Sequence, residues 1–180
     1  MTPEDIIHFW ADEVGEARWF QSDPKLDAEI AARFGDAYAS AREGRLAEWE
    51  ERPEGALALI LLLDQFPRNM FRGGAEAFAT DAQARAIADH AIARGFDLEF
   101  ALDLRVFFYL PLMHSEHLPD QERCVMLVTD RLGPDNHQYP YALAHRDVIA
   151  KFGRFPGRNA ALGRASTPAE VEFLNSEPLF

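Results

Sequence analysis

An all-α fold in one helical domain, residues 1–180, is what this sequence predicts, and three observations carry the prediction. Helix start and stop signals recur from one end of the chain to the other. Apolar residues fall at helical spacing, and no period-2 alternation leads into a hairpin turn. Two stretches, residues 56–66 and 100–113, are apolar on all or most faces, so other helices must wrap them. The expected architecture is seven to nine helices with short connections, paired antiparallel around two apolar central helices.

Each element has its own signal. Thr2-Pro3 sets an N-cap before a proline at the first helical position, ahead of Ile6, Ile7, Phe9 and Trp10. Ser22 or Asp23 before Pro24 opens a long amphipathic helix with Leu26, Ile30, Phe34, Ala37 and Tyr38 on one stripe. A connection near Arg52-Pro53 leads into the first apolar helix. Thr80-Asp81-Ala82-Gln83 resembles a capping box, and Gly95 is the expected end of that helix. Residues 100–113 form the second apolar helix, with Pro111 near its end. Leu118-Pro119-Asp120 starts a helix that Gly133-Pro134 stops, residues 141–155 form another, and Thr167-Pro168-Ala169-Glu170 caps a short last one. Trp10, Trp19, Phe20, Phe107, Phe108 and Tyr109 read as core. Trp49 reads as exposed or as a plug against a neighbouring helix.

Composition narrows the class. With 48% apolar and 12% aromatic residues, the 180-residue chain can bury a real core. Its longest apolar run, residues 56–63, is far below the ~18 residues of a membrane span. The acidic start Met1-Thr2-Pro3-Glu4-Asp5 lacks the basic region of a signal peptide, so a cytoplasmic location is expected. Cys124, the single cysteine, lies in an apolar stretch and reads as a buried, inert thiol. A net charge of −12 argues against nucleic acid or an anionic membrane as partner.

That charge is uneven. Residues 65–73 and 145–164 together hold seven of the 18 basic residues and one of the 30 acidic ones. Nearly all of the concentrated positive charge is arginine, the side chain suited to bidentate capture of carboxylate or phosphate. The same two stretches contain Phe66-Pro67-Arg68-Asn69 and, about ninety residues later, Phe155-Pro156-Gly157-Arg158-Asn159. Each follows an apolar helical run, so each proline is expected to break a helix and open a new turn with free N–H groups. Arg68 and Arg72, like Arg154 and Arg158, stand four residues apart, as neighbours on one helix face do. If the two junctions meet, Arg68, Asn69, Arg72, Arg154, Arg158 and Asn159 line a basic pocket for an anionic small molecule or a peptide carboxylate. In the competing reading they only cap carbonyls at helix ends, Asp64 pairs with Arg68, and the protein is structural.

His114-Ser115-Glu116-His117 is the second constellation. Histidines three apart on a helix, with His145 and Asp147, have metal-ligand character. Pro119 and a helix end near Met113 spoil that geometry, so no metal and no cofactor is expected. His114 and Glu116 fit better at a helix end, bonded to the arginines. There His114, Glu116 or His145 would serve as acid or base in a hydrolase-like enzyme, Glu116 near neutral pH if desolvated. His145-Arg146-Asp147 matches a kinase tripeptide without the accompanying strand and glycine loop, and no P-loop, dinucleotide fingerprint or nucleophile elbow occurs.

The segments Leu61-Leu62-Leu63-Asp64-Gln65-Phe66-Pro67-Arg68-Asn69-Met70-Phe71-Arg72, Tyr109-Leu110-Pro111-Leu112-Met113-His114-Ser115-Glu116, and His145-Arg146-Asp147 through Phe155-Pro156-Gly157-Arg158-Asn159 resemble a bacterial family catalogued as domain of unknown function 924. Phe9-Trp10 and Trp19-Phe20 fit as well. The resemblance spans nearly the whole chain. It implies an all-helical fold similar to tetratricopeptide repeats and implies no activity. His117 departs from the acidic or other polar residue that the family pattern leads one to expect.

Overall fold

The computed structural model describes residues 1–176, and all regular structure among them is helical. Helix α1 (Pro3–His8) starts on a reciprocal Thr2/Asp5 capping box. It runs on through a π-helical stretch, Phe9–Val14, that buries Phe9 and Trp10. Asp23 caps α2 (Pro24–Arg42) by accepting from the N–H groups of Lys25 and Leu26. The stripe Leu26, Ile30, Phe34, Tyr38 is buried along its inner face, as its spacing requires.

The next segment positions the site. Helix α3 (Pro53–Ile60), a π-helical turn (Leu61–Gln65) and α4 (Phe66–Met70) follow one another without leaving helical backbone. Every residue from 55 to 67 is buried. At its start α3 lies so close to the preceding turn that a Cβ on Gly55 would sit 2.0 Å from the carbonyl oxygen of Trp49. Trp49 itself is half-buried and packs on the core.

The break expected at Phe66-Pro67 is therefore absent. The extra residue in the π turn accommodates the proline inside the helix, and the chain leaves the helix only at Phe71. The second apolar stretch departs from expectation too. It forms α6 (Leu102–Arg105), a 3-10 turn (Val106–Phe108) and α7 (Leu110–Met113) in place of one helix. Pro111 cannot donate to an earlier turn, and it sits where a new helix tolerates it, at the start of α7.

Between these lies α5 (Asp81–Ala93); after them come α8 (Leu118–Arg131), α9 (Gln138–Phe152) and α10 (Pro168–Ser176). Helix α9 begins and ends about three residues before the expected bounds, because Gly153 takes a left-handed conformation (φ 68°) that stops it ahead of Phe155. A Thr167/Glu170 pair caps α10. The main core gathers Phe9, Trp10, Trp19, Phe34, Phe66 and Phe107, with ring centroids 4.7–6.4 Å apart in the contacting pairs. A satellite cluster of Val148, Ile149 and Phe155, covered by Phe152 and Phe173, holds the C-terminal elements. Cys124 is fully buried, and that burial pushes its thiol up to about 12, so it is inert at neutral pH.

Candidate functional site

Pro67 has no N–H to offer the carbonyl of Leu63, four residues back. The hydroxyl of Thr80 donates to that carbonyl at 2.6 Å. Thr80 is thus not the capping-box hydroxyl expected for α5; its side chain is turned to the π turn instead. This contact sets the first residue of α5, Asp81, beside Arg68. Arg68 donates Nη1 and Nη2 to the two carboxylate oxygens of Asp81, at 3.0 and 3.1 Å. It also donates Nη1 to the Asp64 carbonyl oxygen at 2.5 Å.

Arg158 arrives from the far end of the chain. Its Nη1 donates to Asp81 Oδ2 at 3.2 Å and its Nη2 to the carbonyl oxygen of His114 at 2.9 Å. The guanidinium sits 4.6 Å from the ring centroids of both Phe78 and Phe155, which fixes its plane. The two arginines of the repeated Phe-Pro motif thus converge on one carboxylate. His114 completes the cluster: its Nδ1 lies 2.8 Å from Oδ1 of Asp64, a fully buried carboxylate that also accepts from the Gln65 amide. The His145 ring stands 6.4 Å from that of His114, with its own Nδ1 on the carbonyl oxygen of Tyr141.

Burial alone would push the Asp64 carboxyl up, but Arg68 and His114 outweigh it and hold Asp64 far below the usual carboxylate range. Burial, then the charge of Arg68, depress His114 against the pull of Asp64. Burial pushes His145 down to about 4. Both histidines are neutral at pH 7. Arg158 is also lowered, first by burial and then by the neighbouring Arg68 charge. Arg68, by contrast, is raised, because Asp64 and Asp81 outweigh its burial, so the opposition of the two guanidinium groups falls on Arg158.

The remaining expected residues lie outside this cluster. Arg72, past the end of α4, forks onto Asp27 of α2 at 2.8 Å, and Asn69 donates to the same carboxylate. Because the helix stops at Phe71, Arg68 and Arg72 do not share a face. Arg154 forks onto Glu170 of α10, and Asn159 bonds Ser166, Glu170 and Arg164. Glu116 accepts both Arg164 guanidinium nitrogens and the Phe155 N–H. Burial raises it, but these donors outweigh burial and keep Glu116 ionised below its ordinary range. It is a tie across the C-terminal segment, not a base poised near neutrality. His117 turns outward to Asp120, away from His114, so the two do not converge on a metal. The turn after Pro67 is helix interior and offers no cluster of N-terminal N–H groups. Asp81 and Phe78 are not among the expected site residues, and Arg164 enters the sequence analysis only as part of the basic stretch 145–164. Asp81 resembled only a first-turn helix acid, and the other two lie outside the repeated motif. Two open surface depressions, of about 630 and 400 Å³, lie elsewhere, against Pro168 and Val171 and against His8 and Arg33.

Fold and site define a class: an all-helical protein with a part-buried arginine–carboxylate–histidine cluster that joins residues 64–81 to His114 and Arg158. The chain belongs to the bacterial family of proteins of unknown function DUF924, whose model matches residues 6–177. It is similar to the solved structure of ATU0120, a protein of unknown function from Agrobacterium tumefaciens, with 45% identity, 97% of each chain covered and a TM-score of 0.92. No curated protein matches the chain. Among the described residues, no helix is long and apolar enough to cross a membrane.

Proposed function

We propose that the protein is a binding module for a small carboxylate-bearing molecule or a peptide carboxylate, held by Arg68 and Arg158. The observation that carries this reading is their convergence on Asp81. An internal carboxylate already shows the bidentate geometry that a ligand would adopt. Arg158 uses two of its five N–H donors in these bonds. The side chains of Arg68, Asp81, Arg158 and His114 each keep 14–21% of their surface open to solvent, so the cluster is reachable from outside. A guest anion would relieve the repulsion between the two guanidinium groups. Arg72, Arg154, Asn69 and Asn159 then support the site by fixing α2 and α10. We place the protein in the cytoplasm.

Thermal unfolding against a panel of anionic metabolites tests the reading. At least one carboxylate should raise the melting temperature of the wild type and leave a folded Arg68→Ala/Arg158→Ala double variant unmoved. An equal shift in both proteins would defeat it.

A further inference from the structure

We propose that Asp64 and His114 form a proton-accepting dyad through which this site hydrolyses an ester of a small dicarboxylic acid. The proposal rests on the reading of Arg68 and Arg158 as the carboxylate site and adds a reaction to it.

The geometry assigns the proton. Asp64 is fully buried, accepts the Gln65 amide and lies 3.3 Å from Arg68 Nη1. An ionised carboxylate only accepts, so the hydrogen shared with His114 is on Nδ1 and is donated to Asp64 at 2.8 Å. Nε2 then carries a lone pair, and among the described residues it makes no hydrogen bond. Asp64 sits in the π-helical turn, a local widening of a helix that recurs at functional sites. The groups facing His114 are Asp64 from that turn, Arg68 from α4, Asp81 from α5, the His145 ring from α9, and Arg158, which bonds the His114 carbonyl itself. A base, its orienting carboxylate and two cations thus stand together.

The nucleophile is water. Cys124 is buried with its thiol on the Tyr109 carbonyl oxygen, and Ser115 Oγ donates to Asp120 at 2.6 Å. Nε2 takes one proton from the water as its oxygen adds to the ester carbonyl carbon. The tetrahedral adduct collapses with cleavage of the C–O bond, and the departing alkoxide takes the proton back from the imidazolium. Ester and water become acid and alcohol, with no redox change. An ester suits a single imidazole because an alkoxide leaves with that one proton's help. The guanidinium groups hold the substrate's free carboxylate. His114 is the catalytic residue and Asp64 its positioning residue.

The test is hydrolysis of mono-4-nitrophenyl succinate by purified wild type, His114→Gln and Asp64→Asn, each checked for helicity, with neutral 4-nitrophenyl acetate alongside. The wild type should exceed the buffer rate, and His114→Gln should lose about 100-fold in kcat. Asp64→Asn should lower kcat and change its pH profile, because the amide no longer holds Nδ1 protonated. A rate equal in wild type and folded His114→Gln, or no wild-type rate above buffer, overturns the dyad. Nitrogen-15 spectra of the wild-type histidines give a reading independent of any variant. Nε2 of His114 should be unprotonated at pH 7, and a protonated Nε2 contradicts the proposal. Hydrolysis of both esters with equal KM would uphold the dyad and sink the carboxylate-binding reading.

Discussion

Arg68 and Arg158, ninety residues apart in the chain, donate to the same carboxylate, that of Asp81. Neither arginine has that carboxylate to itself, and Arg158 is held below its ordinary ionisation first by burial and then by the charge of Arg68. Asp81→Asn should therefore cost about 3 kcal/mol, the low end for breaking a buried pair, because the groups stay partly open to water. Added succinate should restore more of that stability than sodium chloride of equal ionic strength. Denaturant titrations in the two salts check this, and identical recovery in both would count against an anion site.

The Thr80 hydroxyl on the Leu63 carbonyl joins α5 to the π turn. Thr80→Val keeps the shape but removes the donor, and should destabilise by about 1–3 kcal/mol in urea unfolding. Thr80→Ser should recover most of the loss. If valine is tolerated without cost, the proline is accommodated by some other means.

Gly55→Ala places a methyl group where the Trp49 carbonyl oxygen stands. The clash is with backbone, so no side-chain rotation relieves it. The expected loss is at the upper end of the about 1–3 kcal/mol of overpacking, read as a lower urea midpoint. Gly35→Ala, on α2 with nothing within 4 Å of the new Cβ, is the control and should be neutral or slightly stabilising.

His145 is neutral in the folded chain down to about pH 4, whereas in the unfolded chain it takes its proton near 6.5. The unfolded state binds more protons between those values, so stability is full above pH 6.5 and falls as pH drops toward 4. Burial first, and then the charges of Arg158 and Arg68, oppose the charging of His145 against the pull of the Tyr141 carbonyl, and the neutral His114 ring also faces it. Denaturant midpoints from pH 7 to pH 4 should fall, and His145→Gln should flatten part of that slope. An unchanged slope would place the sensitivity in other groups.

The helical class was legible because caps and spacing are local. Thr2, Asp23 and Thr167 announce helices using atoms within four residues. The family resemblance was equally legible, from Leu61 through Arg72, Tyr109 through Glu116 and His145 through Asn159. What stayed hidden depends on distant partners. Pro67 spells a break in every local rule, and only a hydroxyl from residue 80 and an extra residue in the π turn let the helix continue. Glu116 could be read as a base until Arg164, 48 residues on, was seen to hold both of its oxygens. Asp81 resembled an ordinary first-turn acid, because nothing local marks it as the meeting point of two arginines.

The central claim is that Arg68 and Arg158 hold a carboxylate, and a crystal of the wild-type protein soaked in succinate tests it most directly. The expected result is density for a carboxylate in contact with both guanidinium groups, with Asp81 displaced or sharing the donors. A fully soaked crystal in which Asp81 keeps both arginines and no anion touches either would contradict it.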